Sequence, residues 1–198
     1  MIEFINSSTE IPYLIFKEKY DEAIINGQKN IEAMSLSSYD KFKNEVDSRF
    51  VNLKFINKSN FIFFSNYKSP KSIAFDSHNQ ICALIYWSSI NTQIRIKAKI
   101  RRTSVDFNDS YFKTRSQNKN ALAISSNQSS TISDFKYVIK KYENIKNNHD
   151  LLKCPDYWGG FSFKPYSMEF WVGHDYRLNK RNLYLKKDNT WEHSILEP

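Results

Sequence analysis

Glycine, proline and cysteine are all scarce in this chain. Its 198 residues include 4 glycines, 5 prolines and 2 cysteines. So little glycine and proline excludes collagen-like and low-complexity classes. Cys82 and Cys154 lie far apart and form no C-x-x-C pair, so the sequence indicates neither a disulfide framework nor a zinc site. This cysteine usage favours a reducing compartment, and we expect a cytoplasmic protein.

Long apolar runs are also missing. The longest, Ile81 to Trp87, is far shorter than the ~18 residues that cross a bilayer. The N-terminal residues MIEFINSSTE lack the basic, apolar and small-residue regions of a secretory signal, so we expect neither a membrane partner nor export. Hydrophobic residues nevertheless make up 40% and aromatic residues 16% of the chain. This composition excludes intrinsic disorder and, at this length, predicts one domain over residues 1–198.

Motifs for metal-dependent or nucleophilic catalysis are absent as well. The 4 histidines show no H-x-x-x-H or H-E-x-x-H spacing, and neither G-x-S-x-G nor a Walker motif occurs. Positive charge is present: 29 basic and 21 acidic residues give a net charge of +8. This charge suits anionic partners in general and does not choose among nucleic acid, a membrane surface and small phosphates. Only 7 of the basic residues are arginines, which makes each arginine a candidate for a position that needs a planar, bidentate donor.

The first half of the chain predicts a helix followed by strands. Apolar residues at spacings of three to four predict a helix over residues 11–25, ended by Gly27. The β-rich runs IEAMSLS, RFVNLKFI and NFIFFSN predict three strands, the last two joined as a hairpin by residues 57–60. Ser69 and Pro70 predict the start of a short helix that reaches Phe75. Residues 1–30 therefore form an N-terminal helical segment, and residues 31–103 form the first strands of a barrel.

The second half predicts strands around a helical middle. ICALIYW is apolar throughout, as expected for a strand buried on both faces, whereas TQIRIKAKI alternates and has one wet face. Residues 104–150 predict helices, one after Ser104 and a longer one opened by Thr131-Ile-Ser-Asp. In residues 155–198, FSFKP, SMEFWVG, NLYLKKD and WEHSI predict four strands, with a turn at Asp188-Asn189. The sum is an antiparallel sheet of seven or eight strands that closes most economically as a barrel.

A first cluster of polar residues has the chemistry of an anion site. Arg49 and Lys54 fall on one predicted strand, where a spacing of five places them on opposite faces. Ser65, Ser69 and Lys71 follow, and the predicted helix start near Ser69 would add backbone N–H groups to an oxyanion pocket. The alternative is a solvated basic edge that discourages sheet aggregation.

Three further clusters leave both a functional and a structural interpretation open. Tyr111 and Arg115 are neighbours on one predicted helical face, either as a phosphate clamp or as an ordinary surface pair. Asn127 to Ser130 form a polar quartet typical of a helix cap. Trp171, Arg177, Asn179 and Arg181 crowd one stretch, which suits either a flat heterocycle with phosphate or a core tryptophan beside exposed arginines. The pair Gly159-Gly160 predicts a turn or bulge.

In this order and spacing, the motifs resemble the pyridoxine/pyridoxamine 5'-phosphate oxidases. The match runs from about Ala33 to the closing Leu196-Glu-Pro. Its segments are Arg49-x4-Lys54, FFSNYKSPK, Trp87 with Gln93 in YWSSINTQIRI, Tyr111-Phe-x2-Arg115, Gln128-Ser129-Ser130, WGGF, EFW and Arg177-Leu-x2-Arg181. Each motif is weak alone, and their shared order makes the resemblance specific.

The resemblance implies a mainly β fold with helices, the FMN-binding split β-barrel, with FMN at a homodimer interface. It implies oxidation of a small phosphorylated pyridine, pyridoxine or pyridoxamine 5'-phosphate, to pyridoxal 5'-phosphate, with O2 as acceptor and hydrogen peroxide released. The residues that match flavin-contacting positions are Arg49, Lys54, Phe64, Ser65, Lys71, Gln93, Gln128, Ser129, Trp171 and Arg181. Those that match substrate-binding positions are Lys54, Tyr111, Arg115, Lys119, Arg177 and Asn179, of which Arg177 and Asn179 are the candidate catalytic residues.

Three positions differ from the residues that are usual in the family that the chain resembles. Asn179 stands where the family usually has histidine, Lys119 where it has serine, and Pro70 where it has arginine. Asparagine can hydrogen-bond but does not titrate near neutral pH. Two alternatives therefore stay open: a flavin enzyme for another phosphorylated or planar substrate, and a binding module that carries FMN or pyridoxal phosphate without turnover. Nucleic acid binding is the weakest interpretation, because no RNP-like or finger motif supports it.

Overall fold

A single hydrogen-bonded sheet of ten strands forms the frame of the protein. The computed structural model describes residues 1–198. The elements, in chain order, are β1 (Glu3–Ile5), α1 (Ile11–Ile25), β2 (Ala33–Asp40), β3 (Glu45–Asn52), β4 (Phe55–Asn57), β5 (Asn60–Asn66), α2 (Pro70–Ser77), β6 (Gln80–Trp87), β7 (Thr92–Arg102), α3 (Val105–Thr114), α4 (Gln117–Ser125), α5 (Phe135–Asn148), β8 (Trp158–Val172), β9 (Lys180–Lys187) and β10 (Thr190–Leu196). None of the helices has the length and apolar character that a bilayer crossing needs.

The sheet curls around one core. The strand order is β1-β4-β5-β8-β7-β6-β2-β3, while β9 extends from β8 and β10 pairs with β9. All pairings are antiparallel except that of β1 with β4. Ile56 on β4 and Leu36 on β2 lie near opposite ends of this order, yet both belong to one cluster of 26 buried hydrophobic residues. Strands at both ends of the sheet therefore enclose the same interior.

Helix α1 covers this core and agrees with its predicted bounds, residues 11–25. Tyr13, Phe16 and Tyr20 are buried and pack into the main cluster. Phe16 meets Trp87 of β6 with ring centroids 5.5 Å apart. Gly27 follows the helix with φ of +71°, in open space, which is the left-handed geometry of a helix-ending glycine.

The predicted strand over RFVNLKFI is wrong, because this segment changes partners halfway. β3 ends at Asn52 and pairs with β2, whereas β4 begins at Phe55 and pairs with β5 and β1. Lys54 lies between the two strands, so the expected opposite-face arrangement of Arg49 and Lys54 on one strand does not occur. The β4–β5 hairpin itself is confirmed, with Lys58 at φ of +52° in its turn.

Two other strand predictions need correction. β6 is not buried on both faces: Ile81, Ala83, Ile85 and Trp87 are buried, while Tyr86 on the other face is 54% exposed. FSFKP and SMEFWVG form one long strand, β8, in place of two. Its register with β7 shifts at Tyr166, because Pro165 pairs with Ala98 and Ser167 with Lys97, a bulge next to a proline that lacks a donor. The alternation predicted for β7 is confirmed.

The middle third is helical, but its boundaries differ from those expected. The helix predicted after Ser104 is α3, and Ser104 caps it by accepting a hydrogen bond from Phe107 N at 3.4 Å. Arg115 follows α3 in extended conformation, so it does not lie on the same helical face as Tyr111. Asp134 caps α5 by accepting from Lys136 N at 2.8 Å, so this helix starts at Phe135 and not at Thr131.

Candidate functional site

Most of the predicted site residues line one groove between β3 to β5 and the segment after α3. Two adjoining cavities of about 230 and 270 Å³ form this groove and share part of their lining. The predicted residues that line it are Lys54, Phe64, Ser65, Lys71, Tyr111, Arg115, Lys119 and Gln128. Four of these carry positive charge, and no acidic side chain lines either cavity. The groove is therefore suited to anionic ligands.

Lys71 lies at one end of the groove and is almost completely buried, at 8% exposure. Its Nζ donates to Ser69 Oγ at 3.0 Å, and no carboxylate pairs with it. Burial and, to a smaller extent, the nearby Arg49 guanidinium together lower the pKa of Lys71 to about 8, while Asp47 opposes the shift. A buried lysine without a paired carboxylate gains most from an anion that stabilises its charged form.

Arg49 lies beside Lys71, and contacts with β2 and with its own strand, β3, fix its side chain. Its Nη1 donates to Leu36 O at 3.0 Å and to Ser38 Oγ at 2.8 Å, and its Nη2 pairs with Asp47 at 2.6 Å. Arg49 and Asp47 are two residues apart on β3, so they share a face. The hydrogen bond from the Arg49 guanidinium also holds the pKa of Asp47 below its usual range.

Ser69 does not face the groove. It is fully buried, and its hydroxyl donates to Asn66 O at 2.7 Å in place of capping α2. The expectation that Ser69 contributes its hydroxyl to an oxyanion pocket is therefore wrong. Ser65 does line the groove, where its Oγ donates to Gln128 Oε1 at 3.4 Å.

Arg115 carries the clearest unsatisfied donor of the groove. Its Nη1 is buried without a hydrogen-bond partner, and its Nη2 donates only to the backbone oxygen of Lys119 at 3.3 Å. The guanidinium lies 4.2 Å over the ring of Trp158, and burial lowers the pKa of Arg115 from its ordinary value. Because a buried N–H without an acceptor costs about 1–3 kcal/mol, this arrangement indicates an anion as its missing partner.

Aromatic rings form a flat wall beside these cations. Phe64 stacks on Tyr111 with centroids 4.0 Å apart and on Trp158 with centroids 5.1 Å apart, at interplanar angles of 27° and 11°. Burial raises the pKa of Tyr111, which keeps its hydroxyl protonated and able to donate. Trp158 was not among the predicted site residues, although its motif WGGF was part of the resemblance.

The glycines after Trp158 serve close packing within β8 and not a turn. A Cβ on Gly159 would come closer than 3.0 Å to both Tyr67 Oη and Asn108 Nδ2. Asn108 Nδ2 donates to Tyr67 Oη at 3.0 Å, and Asn108 Oδ1 accepts from Gly160 N at 2.8 Å. This hydrogen-bond network joins α3 to the start of β8 next to Trp158. The two glycines are regularly paired with β5, so the predicted turn or bulge is wrong.

The remaining predicted residues lie elsewhere. Gln93, Trp171 and Arg181 are directly paired across β7, β8 and β9, and we call this row the strand patch. Arg177 and Asn179 lie in the loop that follows β8, where Arg177 has φ of +61° and Asn179 Oδ1 accepts from His174 N at 3.1 Å.

Trp158 of the groove and Trp171 of the strand patch are at opposite ends of β8. Neither cavity of the groove is lined by a residue of the strand patch or by Arg177 or Asn179. Within one subunit the two sets of residues are therefore separate. Ser129, with φ of +69°, lines a separate cavity of about 320 Å³ beside α5.

A buried carboxylate adjoins the strand patch and was missed by the sequence analysis. Glu169 is 3% exposed and pairs with Arg95 and Arg181. The signal that could have found it is a carboxylate inside the apolar run SMEFWVG, because acidic residues are almost never fully buried unless they are paired.

Two solved structures share this architecture. PhzG from Burkholderia lata 383, in complex with tetrahydrophenazine-1-carboxylic acid, matches with a TM-score of 0.89 at 23% identity and covers 94% of this chain and 92% of its own. A pyridoxamine 5'-phosphate oxidase-related, FMN-binding protein from Nostoc punctiforme PCC 73102 matches with a TM-score of 0.79 at 10% identity, covering 96% and 99%. The fold is therefore the split barrel of FMN-binding proteins, as predicted.

Sequence relatives are more specific than the fold. The pyridoxine/pyridoxamine 5'-phosphate oxidase of Coxiella burnetii is 36% identical over 184 residues, covering 92% of this chain and 93% of that protein. The enzyme of the same name from Haemophilus influenzae is 32% identical over 190 residues, covering 96% and 90%. Residues 158–198 match the family model described as the pyridoxine 5'-phosphate oxidase C-terminal dimerisation region. The chain belongs to the pyridoxine/pyridoxamine 5'-phosphate oxidase family, which confirms the resemblance.

Proposed function

We propose that this protein is an FMN-dependent oxidase of B6 vitamers. It would convert pyridoxamine or pyridoxine 5'-phosphate to pyridoxal 5'-phosphate, with O2 as acceptor and hydrogen peroxide as product. The observation that carries the proposal is the buried, unpaired Nη1 of Arg115 in a groove that also holds the uncompensated Lys71. Family membership supports an oxidoreductase that uses FMN.

The groove fits two phosphoesters at once. Lys71 and Arg49, with the Ser65 hydroxyl, suit the phosphate of FMN, because two adjacent cations there lack a compensating anion beyond Asp47. Lys54, Tyr111, Arg115 and Lys119 suit the substrate phosphate. Of the three cations in this second set, only Lys54 has an acidic neighbour, Glu32 at 3.5 Å. Charge-assisted, bidentate contacts from arginine are the strongest of these interactions.

The rest of the predicted site requires a second copy of the chain. The strand patch would contact FMN, and Arg177 and Asn179 would contact the substrate ring, yet all of them lie at the far end of β8 from the groove. Trp171, Arg177, Asn179 and Arg181 fall within the segment that matches the family's dimerisation region. We therefore propose a homodimer in which the groove of one subunit faces the strand patch of its partner.

The residues of this chain would bind and orient the reactants. Bound FMN supplies the two-electron chemistry, so no nucleophile or general base of the protein is needed for it. Arg115 and Lys119 hold the phosphate, the Tyr111 hydroxyl donates to it, and the aromatic wall of Phe64 and Trp158 excludes water. Arg177 lies against the ring from the other subunit. Fixing the reacting atoms in this way lowers the entropic part of the barrier.

The visible spectrum of the purified protein tests the proposal. We expect the absorbance bands of oxidised flavin, and bleaching of these bands when pyridoxamine 5'-phosphate is added without oxygen. Admission of air should restore the bands and release pyridoxal 5'-phosphate and hydrogen peroxide. A colourless protein that does not take up added FMN would refute the proposal.

Two separate substitutions test the division of the groove. Arg49→Ala should weaken FMN retention, because Arg49 lies beside Lys71. Arg115→Ala should raise the substrate KM while leaving the flavin content near that of wild type. Equal effects of both substitutions on both quantities would contradict the assignment of two phosphate pockets.

A second candidate function follows from Asn179. Its Oδ1 already accepts the hydrogen bond from His174 N, so the side chain is committed to its own loop and cannot titrate as an imidazole would. A split-barrel flavin enzyme for another planar or phosphorylated substrate would fit this arrangement. Flavin that stays oxidised with pyridoxamine 5'-phosphate but becomes reduced by it in Asn179→His would favour this candidate.

A further inference from the structure

Glu169 occupies an unusual position for a carboxylate. It lies in the middle of β8, where its side chain is 4% exposed. Its cross-strand partner on β7 is Arg95, and its neighbour two residues along β8 is Trp171 of the strand patch. Because residues opposite or two apart share a face of the sheet, Glu169 lies on the same face as the strand patch. An acidic side chain so deeply buried must be paired to be tolerated.

Both carboxylate oxygens are taken by arginines. Glu169 Oε2 accepts from Arg95 Nη2. Oε1 accepts from Arg181 Nε at 2.9 Å, and Arg181 Nη2 lies 2.9 Å from the same oxygen. Arg181 Nη1 donates in addition to the backbone oxygen of Glu197 at 2.9 Å. The guanidinium of Arg181 is therefore held on two sides.

A count of donors shows what this arrangement leaves free. A guanidinium has five N–H groups in a fixed plane. Arg181 directs one from Nε at Glu169 and one from Nη1 at Glu197, while its Nη2 lies at ion-pair distance from Glu169. At least one N–H on each terminal nitrogen therefore remains for a ligand, on a side chain that is still 25% exposed. The cluster of one carboxylate and two arginines keeps one net positive charge.

We infer that Glu169 is a positioning residue that holds the Arg181 guanidinium in the orientation in which it binds the coenzyme. The inference rests on the proposed function, since Arg181 is there the flavin-contacting arginine of the strand patch. Arg95 pairs with the other carboxylate oxygen of Glu169, and we assign it no contact with the coenzyme. Preorganised donors of this kind lose little conformational freedom when a ligand arrives.

The substitution Glu169→Gln separates orientation from charge, because the two effects have opposite signs. Glutamine has nearly the same size, and the change raises the local net charge by one. Electrostatics alone therefore predicts tighter binding of anionic FMN. Loss of the fixed orientation of the Arg181 guanidinium predicts weaker binding of FMN, and we expect the Kd of FMN to rise about tenfold.

Arg95→Gln is the matched control. Like Glu169→Gln, it removes the ion pair between Arg95 and Glu169, but it leaves the contacts between Glu169 and Arg181 in place. The two variants should lose similar thermal stability, yet Arg95→Gln should change the Kd of FMN by about twofold at most. In an Arg181→Met background, Glu169→Gln should have no further effect, because a residue that acts through Arg181 is fully coupled to it.

The measurement is a fluorescence titration of each apoprotein with FMN, together with its Tm. Unchanged or tighter binding by Glu169→Gln would overturn the inference, as would equal weakening in Arg95→Gln. A wild-type apoprotein that does not bind FMN would overturn the proposed function and the inference together. Should Glu169→Gln not fold, Glu169→Asp keeps the charge but draws it back from Arg181, and it too should bind FMN more weakly than wild type.

Discussion

Removal of the Lys71 charge should stabilise the apoprotein, although we expect this lysine to be essential for coenzyme binding. The lysine is buried at 8% exposure, and burial lowers its pKa from 10.5 to about 8. A shift of this size corresponds to about 3 kcal/mol of unfavourable free energy for the charged form. Lys71→Met keeps the length and apolar stem and removes the charge. Ser69 Oγ retains its hydrogen bond to Asn66 O.

The sign of the pH dependence follows from the direction of the shift. Between about pH 8 and 10.5 the unfolded chain binds the lysine proton and the folded chain does not, so the free energy of unfolding of wild type rises with pH in this window. Below pH 8 the full penalty applies. Lys71→Met should therefore exceed wild type by up to about 3 kcal/mol at pH 7, and this difference should vanish near pH 10.5.

Urea unfolding of both apoproteins at pH 7 and at pH 10 measures the difference. FMN titration at pH 7 should show the opposite ranking, with binding to Lys71→Met weakened at least tenfold, since a hydrogen bond to a charged group contributes about 1.5–3 kcal/mol. Lys68→Met is the control, because Lys68 is an exposed lysine three positions away. A Lys71→Met apoprotein that is less stable than wild type at pH 7, or a gain that does not depend on pH, would refute the reasoning.

Further predictions concern Arg115 and the glycines. Arg115→Gln should raise the KM for a phosphorylated substrate about a hundredfold, because it removes a bidentate charged contact. In steady-state kinetics, inorganic phosphate as competitor should inhibit the variant more weakly than wild type. Equal inhibition of both would contradict the assignment of Arg115 to the substrate phosphate. Gly159→Ala should lower the free energy of unfolding by about 3 kcal/mol or more, because its Cβ would clash with the buried network. Gly27→Ala, in open space at φ of +71°, should cost only about 1–2 kcal/mol, and equal urea midpoints for the two variants would argue against the network.

The sequence predicted the local elements better than their partners. Periodicity located α1 and the alternation of β7, since both depend on neighbours within a few residues. RFVNLKFI is β-rich throughout, yet Leu53 and Lys54 separate two strands that pair on different sides of the barrel. No local pattern reports such a change of partner. The merging of two predicted strands into β8 has the same origin, because Pro165 reads as a break unless its position at a bulge is known.

The candidate site shows the same division. Composition made the arginines informative, and four of the seven, Arg49, Arg115, Arg177 and Arg181, stand at positions that the resemblance assigns to the site. What sequence could not show is burial. The lowered pKa of Lys71 and the missing partner of Arg115 Nη1 depend on how tightly distant segments close around them. Glu169 was missed for this reason, because its two arginine partners are 74 and 12 positions away along the chain.

The separation of groove and strand patch along β8 has a genetic consequence for the proposed homodimer. Each dimer would contain two reaction centres, and each centre would draw one half from either subunit. A hybrid dimer of one subunit defective only in the groove and one defective only in the strand patch has both defects in one centre and none in the other. Two variants that are inactive when expressed alone should therefore complement each other when coexpressed, with one working centre in every hybrid.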